Sequence, residues 1–127
     1  MELVNCTKEY WNFIRTLRND QRVKSGFIKS AHITEEMQIK HMQGNSHHYR
    51  ICLLNGEPVG YVGVIEGDIR ICTHPNYQRK GIGRFMITEI MNEEPTAFAK
   101  VKIDNEASVK LFEACGFTKN FYILTKD

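Results

Sequence analysis

Residues 68–84 read Asp68-Ile69-Arg70-Ile71-Cys72-Thr73-His74-Pro75-Asn76-Tyr77-Gln78-Arg79-Lys80-Gly81-Ile82-Gly83-Arg84, and this stretch decides the fold. Ile69 to Thr73 predicts a short apolar strand, His74 to Tyr77 a turn, and the residues after Gly83 an amphipathic helix carrying Phe85, Met86, Ile90 and Met91. Strand, glycine-rich turn and helix together make an anion cradle. Glycines let the backbone approach a phosphate closely, and the first free N–H groups of the helix point at it with the positive end of the helix dipole behind them. Arg79, Lys80 and Arg84 add positive side chains at the same end. The stretch therefore predicts a site for a phosphorylated ligand.

Three phosphate-binding patterns compete for it. A P-loop needs Gly-x-x-x-x-Gly-Lys-Ser/Thr, which the chain lacks. A dinucleotide fingerprint needs a third glycine where Met86 stands, and a larger chain of repeated βαβ units. The third pattern is Gln/Arg-x-x-Gly-x-Gly/Ala at a strand-to-helix turn. Gln78-Arg79-Lys80-Gly81-Ile82-Gly83 resembles it at every fixed position, and it is the acetyl-CoA pyrophosphate loop of the GNAT superfamily of N-acetyltransferases.

The rest of the chain sets the frame for that resemblance. At 127 residues it has room for one domain, read as spanning 1–127, with a sizeable core. No apolar run approaches the roughly 20 residues needed to span a membrane. Met1-Glu2-Leu3-Val4-Asn5 has neither the basic flank nor the apolar block of a signal peptide. Cys6, Cys52, Cys72 and Cys115 lie far apart with no Cys-x-x-Cys pair, which points to free thiols in a reducing cytoplasm and to no metal. The net charge of +2 gives no argument for nucleic acid. Its excess lies in the N-terminal half, where residues 1–64 carry eight Lys/Arg against six Asp/Glu.

In chain order, Lys8 to Asn19 places Tyr10, Trp11, Ile14 and Leu17 at helical spacing. Thr34 reads as the N-cap of a second helix, with Glu35 and Glu36 in its first turn and Gly44-Asn45 as its stop. From Tyr49 the period becomes two. Tyr49–Leu54 and Val59–Ile65 predict strands joined by an Asn55-Gly56-Glu57-Pro58 hairpin, and Glu66-Gly67-Asp68 turns the chain into the strand at 69–73. Gly60 and Gly63 suggest a bulge or a close backbone approach. Beyond the cradle helix, Ala97–Ile103 predicts a strand parallel to 69–73, Asn105 caps a helix to Cys115 that Gly116 ends, and Phe117–Lys126 predicts a last strand.

A second motif supports the first. Asn105-Glu106-Ala107-Ser108-Val109-Lys110-Leu111-Phe112-Glu113-Ala114-Cys115-Gly116-Phe117 resembles the superfamily's Asn-x-x-Ala/Ser-x-x-x-Tyr/Phe-x-x-x-Gly-Phe signature. The resemblance covers residues 49–127 and implies a mixed α/β domain of the GNAT acyl-CoA N-acyltransferase fold. That fold has an antiparallel N-terminal meander, a splayed parallel strand pair and helices on both faces. It further implies that acetyl-CoA lies in the splay as cosubstrate. Pantetheine would pair with the backbone of Ile71, Cys72 and Thr73, the pyrophosphate would sit in the loop of Gln78, Arg79, Lys80, Gly81, Ile82, Gly83 and Arg84, and Asn105 would touch the pantetheine arm. Asn105 also reads as a plain helix cap.

The implied reaction is attack of a neutral amine on the thioester. Many family members place a carboxylate near the start of the third strand, where Glu66 and Asp68 stand; a polar hairpin turn accounts for the same residues. The family's usual acid, a tyrosine in the last helix, is Phe112 here, which leaves Tyr122, Cys115 or solvent to protonate the thiolate. His47-His48 read as a surface loop, because adjacent histidines point to opposite sides of an extended chain and no third ligand joins them. The expected acceptor is a primary amine of a small molecule (of amino sugar, amino acid or polyamine type) or of a protein, walled by the two N-terminal helices and residues 18–33, where Arg18-Asn19-Asp20 and Arg22 could hold an acidic or phosphorylated acceptor. A homodimer is compatible with all of this. The alternatives are a non-catalytic acyl-CoA-binding module and a nucleic-acid-modifying relative.

Overall fold

The computed structural model describes residues 1–29 and 31–127. Four antiparallel strands form one sheet in the order β1 (Glu2–Asn5), β2 (Tyr49–Leu54), β3 (Glu57–Ile65) and β4 (Asp68–Thr73). Two tight hairpins set the meander. Asn55-Gly56 and Glu66-Gly67 both occupy the left-handed region (φ 52° and 83°; 52° and 80°), which matches the right-handed twist of the strands they join. β2 and β3 slip register between Cys52 and Leu53, leaving Val59 without a partner. This bulge joins Val59 to the core on the same face as Val62 and Val64.

Helices cover both faces. On one lie α1 (Trp11–Asn19), the four-residue α2 (Gln21–Lys24) and α3 (Glu35–Asn45). Ile14, Leu17 and Met42 pack there against Tyr49, Ile51, Tyr61 and Cys72. α3 starts as expected, with Thr34 Oγ1 accepting from Met37 N at 3.2 Å. On the other face, α4 (Ile82–Glu93) buries Ile82, Met86, Ile87 and Ile90 against Val62, Val64 and Ile69. α5 (Glu106–Ala114) adds Phe112 to this second core. At roughly 1.5–3 kcal/mol per buried apolar side chain, these two cores are the main favourable term of the fold.

Two expected strands need correction, and one strand has no counterpart in the sequence reading. β1 was not foreseen: Glu-Leu-Val-Asn is too short to show a period, and its strand exists through pairing with Arg50–Leu53. Ala97–Ile103 is not a full strand. It meets β4 in a single parallel bridge at Asp68 and Phe98, held by Ile69 N donating to Phe98 O (2.9 Å) and Phe98 N to Gly67 O (2.8 Å). Beyond that point the two segments diverge, so the splay begins almost at once. Phe117–Lys126 forms no strand, and Phe121, Tyr122, Ile123 and Leu124 stand exposed. Apolar alternation made both segments look like strands, but a strand requires a partner ladder, and neither segment has one among the described residues. Among the described residues, no helix is long and apolar enough to cross a membrane.

Candidate functional site

The site begins at the free edge of β4. One side of the strand pairs with β3 from Asp68↔Ile65 to Thr73↔Gly60, and on the other side, among the described residues, only the bridge at Asp68 is made. Thr73 O accepts from Gln78 Nε2, and the other outward-facing N–H and C=O groups of that edge between Arg70 and Thr73 are available to an extended ligand. The chain then folds into a 3₁₀ turn at Pro75–Tyr77, where His74 Nδ1 accepts from Asn76 N at 3.1 Å. His74 belongs to this turn, and Gln78 Nε2 ties it back to Thr73 O at 3.3 Å.

The cradle follows. Arg79 (φ 63°) and Gly81 (φ 76°) both take the left-handed conformation, and Gly81 is the N-cap of α4. Left-handed residues alternating with ordinary ones turn successive amides toward one concave side, a geometry that takes anions. A non-glycine residue in that conformation costs on the order of 1–2 kcal/mol. Strain of that kind gathers at ligand sites. The first intrahelical bond runs from Phe85 N to Gly81 O at 3.0 Å, so the amides of Ile82, Gly83 and Arg84 have no acceptor within the helix. The two glycines serve different ends. Around Gly81 there is open space, whereas a Cβ on Gly83 would stand 2.8 Å from Leu111 Cδ2, so Gly83 lets α4 and α5 close together.

β4, the cradle and α5 open onto one cavity of about 1010 Å³. Ile71, Cys72, Thr73, Gln78, Arg79, Gly81, Ile82, Gly83, Arg84 and Asn105 all line it; Lys80 stands exposed beside it. Asn105 is the cap that was expected, its Oδ1 accepting from Ser108 N at 3.2 Å, while its Nδ2 donates to Gly26 O at 3.3 Å. It thereby fastens the N-terminus of α5 to the segment after α2. The two carboxylates part company. Glu66 is exposed in its turn and does not line the cavity, whereas Asp68 does and is paired with Arg70 Nε at 3.3 Å. Phe112 lines the cavity and packs edge-on against Phe117, with centroids 5.1 Å apart. Tyr122 and Cys115 do not line it.

The far wall adds Tyr49 and Tyr61, which sequence reasoning missed, to Cys72 and Arg18, which it singles out. Tyr49, Tyr61 and Cys72 share the α1/α3 face of the sheet and line the cavity together with Arg18, Phe27 and Arg70. The signal was available in part: Tyr61 lies directly opposite Cys72 across the β3–β4 pair, so both must face the same way. Burial raises the Tyr49 and Tyr61 hydroxyls above their ordinary range, and it pushes the Cys72 thiol up to about 12. All three therefore stay protonated at neutral pH. Among the described residues, no three His, Cys, Asp or Glu side chains gather as metal ligands, and His47 and His48 lie in or beside a short 3₁₀ turn.

A free strand edge leading into an αL-capped helix, with a two-sided cavity alongside, is the layout that the two motifs implied. The family model for the acetyltransferase (GNAT) family matches residues 11–117. The chain belongs to the GNAT family. Solved structures agree with this acetyltransferase fold. The spermidine N-acetyltransferase from Vibrio cholerae, in complex with CoA and spermine, superposes with a TM-score of 0.84 at 20% identity, covering 96% of this chain and 83% of that one. The ribosomal-protein-alanine N-acetyltransferase from Brucella melitensis gives 0.77 at 18% identity, over 91% and 83%. An aminoglycoside acetyltransferase in complex with coenzyme A and kanamycin gives 0.75 at 18%, over 98% and 87%. No curated protein matches the GNAT chain in sequence.

Proposed function

We propose that this GNAT chain, as one domain over residues 1–127, transfers an acetyl group from acetyl-CoA to a primary amine of a small molecule or a protein. The observation that carries the reading is the unpaired edge of β4 from Arg70 to Thr73, running directly into the Gly81-capped start of α4. An extended pantetheine arm can add to that edge through Ile71, Cys72 and Thr73 while its pyrophosphate meets the amides of residues 79–84. The relatives whose structures hold CoA support the same donor. Four free thiols fit a cytoplasmic setting.

In this reading the amine nitrogen attacks the thioester carbonyl carbon, the C–S bond breaks, and an amide and CoA thiolate result. The nitrogen sheds one proton and the thiolate gains one. We assign Asp68, which lines the cavity, to take the proton through water. Glu66, exposed in its turn, is given no part. The protonated hydroxyls of Tyr49 and Tyr61 on the acceptor side offer donors for orienting the substrate.

Gly81→Asp tests the reading. Apart from Gly81's chain neighbours and the backbone of its own helix, no described atom lies within 4 Å of where a Cβ would stand at Gly81. Although φ 76° strains any side chain, Asp tolerates the left-handed region better than most residues, so the variant should fold. Its carboxylate would face the pyrophosphate, and calorimetry should show acetyl-CoA affinity lost. Unchanged affinity in a folded Gly81→Asp protein would rule the cradle out.

Phe112 favours a second reading, an acyl-CoA-binding module without turnover, because a phenyl ring has no proton to give a departing thiolate. Thiol release across a panel of amines separates the two. A pure binder releases none.

A further inference from the structure

The acceptor side of the cavity has an electrostatic bias that the family reading does not call for. Four cations stand there: Arg18, Arg22, Lys29 and Arg70. Arg22 is held by Asp20 (Nη2 to Oδ2, 2.8 Å) and donates to Asn76 Oδ1 at 2.8 Å, and Arg70 is held by Asp68. Arg18 differs. It is half-buried, its guanidinium lies over the Phe27 ring 5.6 Å from the centroid, and it takes part in no ion pair among the described residues. It lines the main cavity and also an adjoining one of about 230 Å³ that contains Lys29, Gln38 and His41. Arg18 and Arg70 line the same cavity as Tyr49 and Tyr61, and Arg18 alone of the two also lines the adjoining one with His41.

A partly desolvated guanidinium without a carboxylate is costly unless a ligand completes it. Arginine presents a planar fork of donors suited to a carboxylate or phosphate. A polyamine would bring further positive charge into a chamber whose lining carboxylate, Asp68, is already paired with Arg70, while Asp20 outside it is paired with Arg22.

We infer that the acceptor is an amine that also carries an anionic group, a carboxylate or phosphate, bound by Arg18 with Lys29 at the mouth of the chamber. This rests on the N-acetyltransferase reading and narrows it. Amino acids and phosphorylated amino sugars fall inside the class; spermidine and unmodified aminoglycosides fall outside it.

Matched pairs test the inference. Thiol release from acetyl-CoA is measured with L-amino acids against their carboxamides, with glucosamine 6-phosphate against glucosamine, and with spermidine. The anionic member of at least one pair should exceed its neutral partner and spermidine in kcat/KM by roughly ten- to a hundredfold, the worth of a charge-assisted contact. Arg18→Gln should erase that advantage through KM while calorimetric affinity for acetyl-CoA stays unchanged. Preference for spermidine or the neutral partners overturns the inference, and so does an anion preference that survives Arg18→Gln. If no amine is turned over, the same pairs are titrated calorimetrically into protein saturated with CoA, where anionic members that bind no better than neutral ones overturn it. A wild-type protein that fails to bind acetyl-CoA sinks the parent reading instead, and the titration of the pairs into the free protein still decides the role of Arg18.

Discussion

His41 Nε2 on α3 stands 3.1 Å from Tyr49 Oη on β2, joining the helix layer to the sheet beside the acceptor chamber. The two rings meet edge-on, and Tyr49 meets Tyr61 in the same manner, with centroids 5.9 Å apart. Burial first, and then the charges of Arg18 and Arg70, hold the imidazole below its ordinary pKa.

The stability of the protein should therefore fall as the solution is acidified through this group. Unfolded chains take up the histidine proton near pH ~6.5, whereas the folded chain resists it to lower pH. The stabilisation from neutral His41 is complete above the unfolded value and is lost as pH falls toward the folded one. Urea denaturation from pH 8 to 5 should show the decline, and His41→Gln should flatten it. An equal decline in the variant would assign the effect elsewhere.

Gly60 and Gly44 should respond to alanine with opposite signs. A Cβ at Gly60 would stand 2.8 Å from Cys72 O and 2.9 Å from Met86 Cε, so β3 and β4 must part or α4 must shift. We expect Gly60→Ala to cost roughly 1–3 kcal/mol. Gly44 lies within α3 with nothing inside 4 Å, and Gly44→Ala should stabilise by about 0.5–1 kcal/mol. Thermal denaturation of both variants checks the pair.

Thiol labelling should single out one cysteine. Cys6, Cys52 and Cys72 are buried, and although burial raises all four thiols, Cys72 to about 12, access is what separates them. Cys115, at the end of α5, is the one left partly exposed. Iodoacetamide at pH 8 should modify Cys115 first in the native protein and reach Cys72 only in denaturant, as peptide mass spectrometry would show. Early labelling of Cys72 would mean that β4 is far more open than described.

Asn105→Ala should weaken two things at once. The cap on α5 is lost, at a cost of about 1 kcal/mol. The bond to Gly26 O goes too, which loosens the segment carrying Phe27 against the cavity. Asn105→Asp keeps the acceptor for Ser108 N but not the donor to Gly26. It should retain most of the stability in chemical denaturation while raising KM for the acceptor. Equal stability losses in both variants would assign the whole effect to the Gly26 contact.

Features settled within a few residues were legible in the chain alone. Asn55-Gly56 announces its hairpin because only residues tolerant of positive φ fit there; Thr34 and Asn105 announce helix starts because their oxygens reach an amide three residues on. The cradle was legible for the same reason, since Gly81 answers a backbone requirement at its own position. Whatever depended on a partner distant in the chain was not. Glu2–Asn5 is a strand only because β2 lies beside it, and Ala97–Ile103 and Phe117–Lys126, more strand-like in composition, are not strands because no ladder meets them. The chamber of Arg18, Tyr49, Tyr61 and Arg70 draws on α1 and three neighbouring strands of the sheet. Their convergence follows from sheet register and helix packing, which couple residues dozens of positions apart and leave no periodic trace in the order of amino acids.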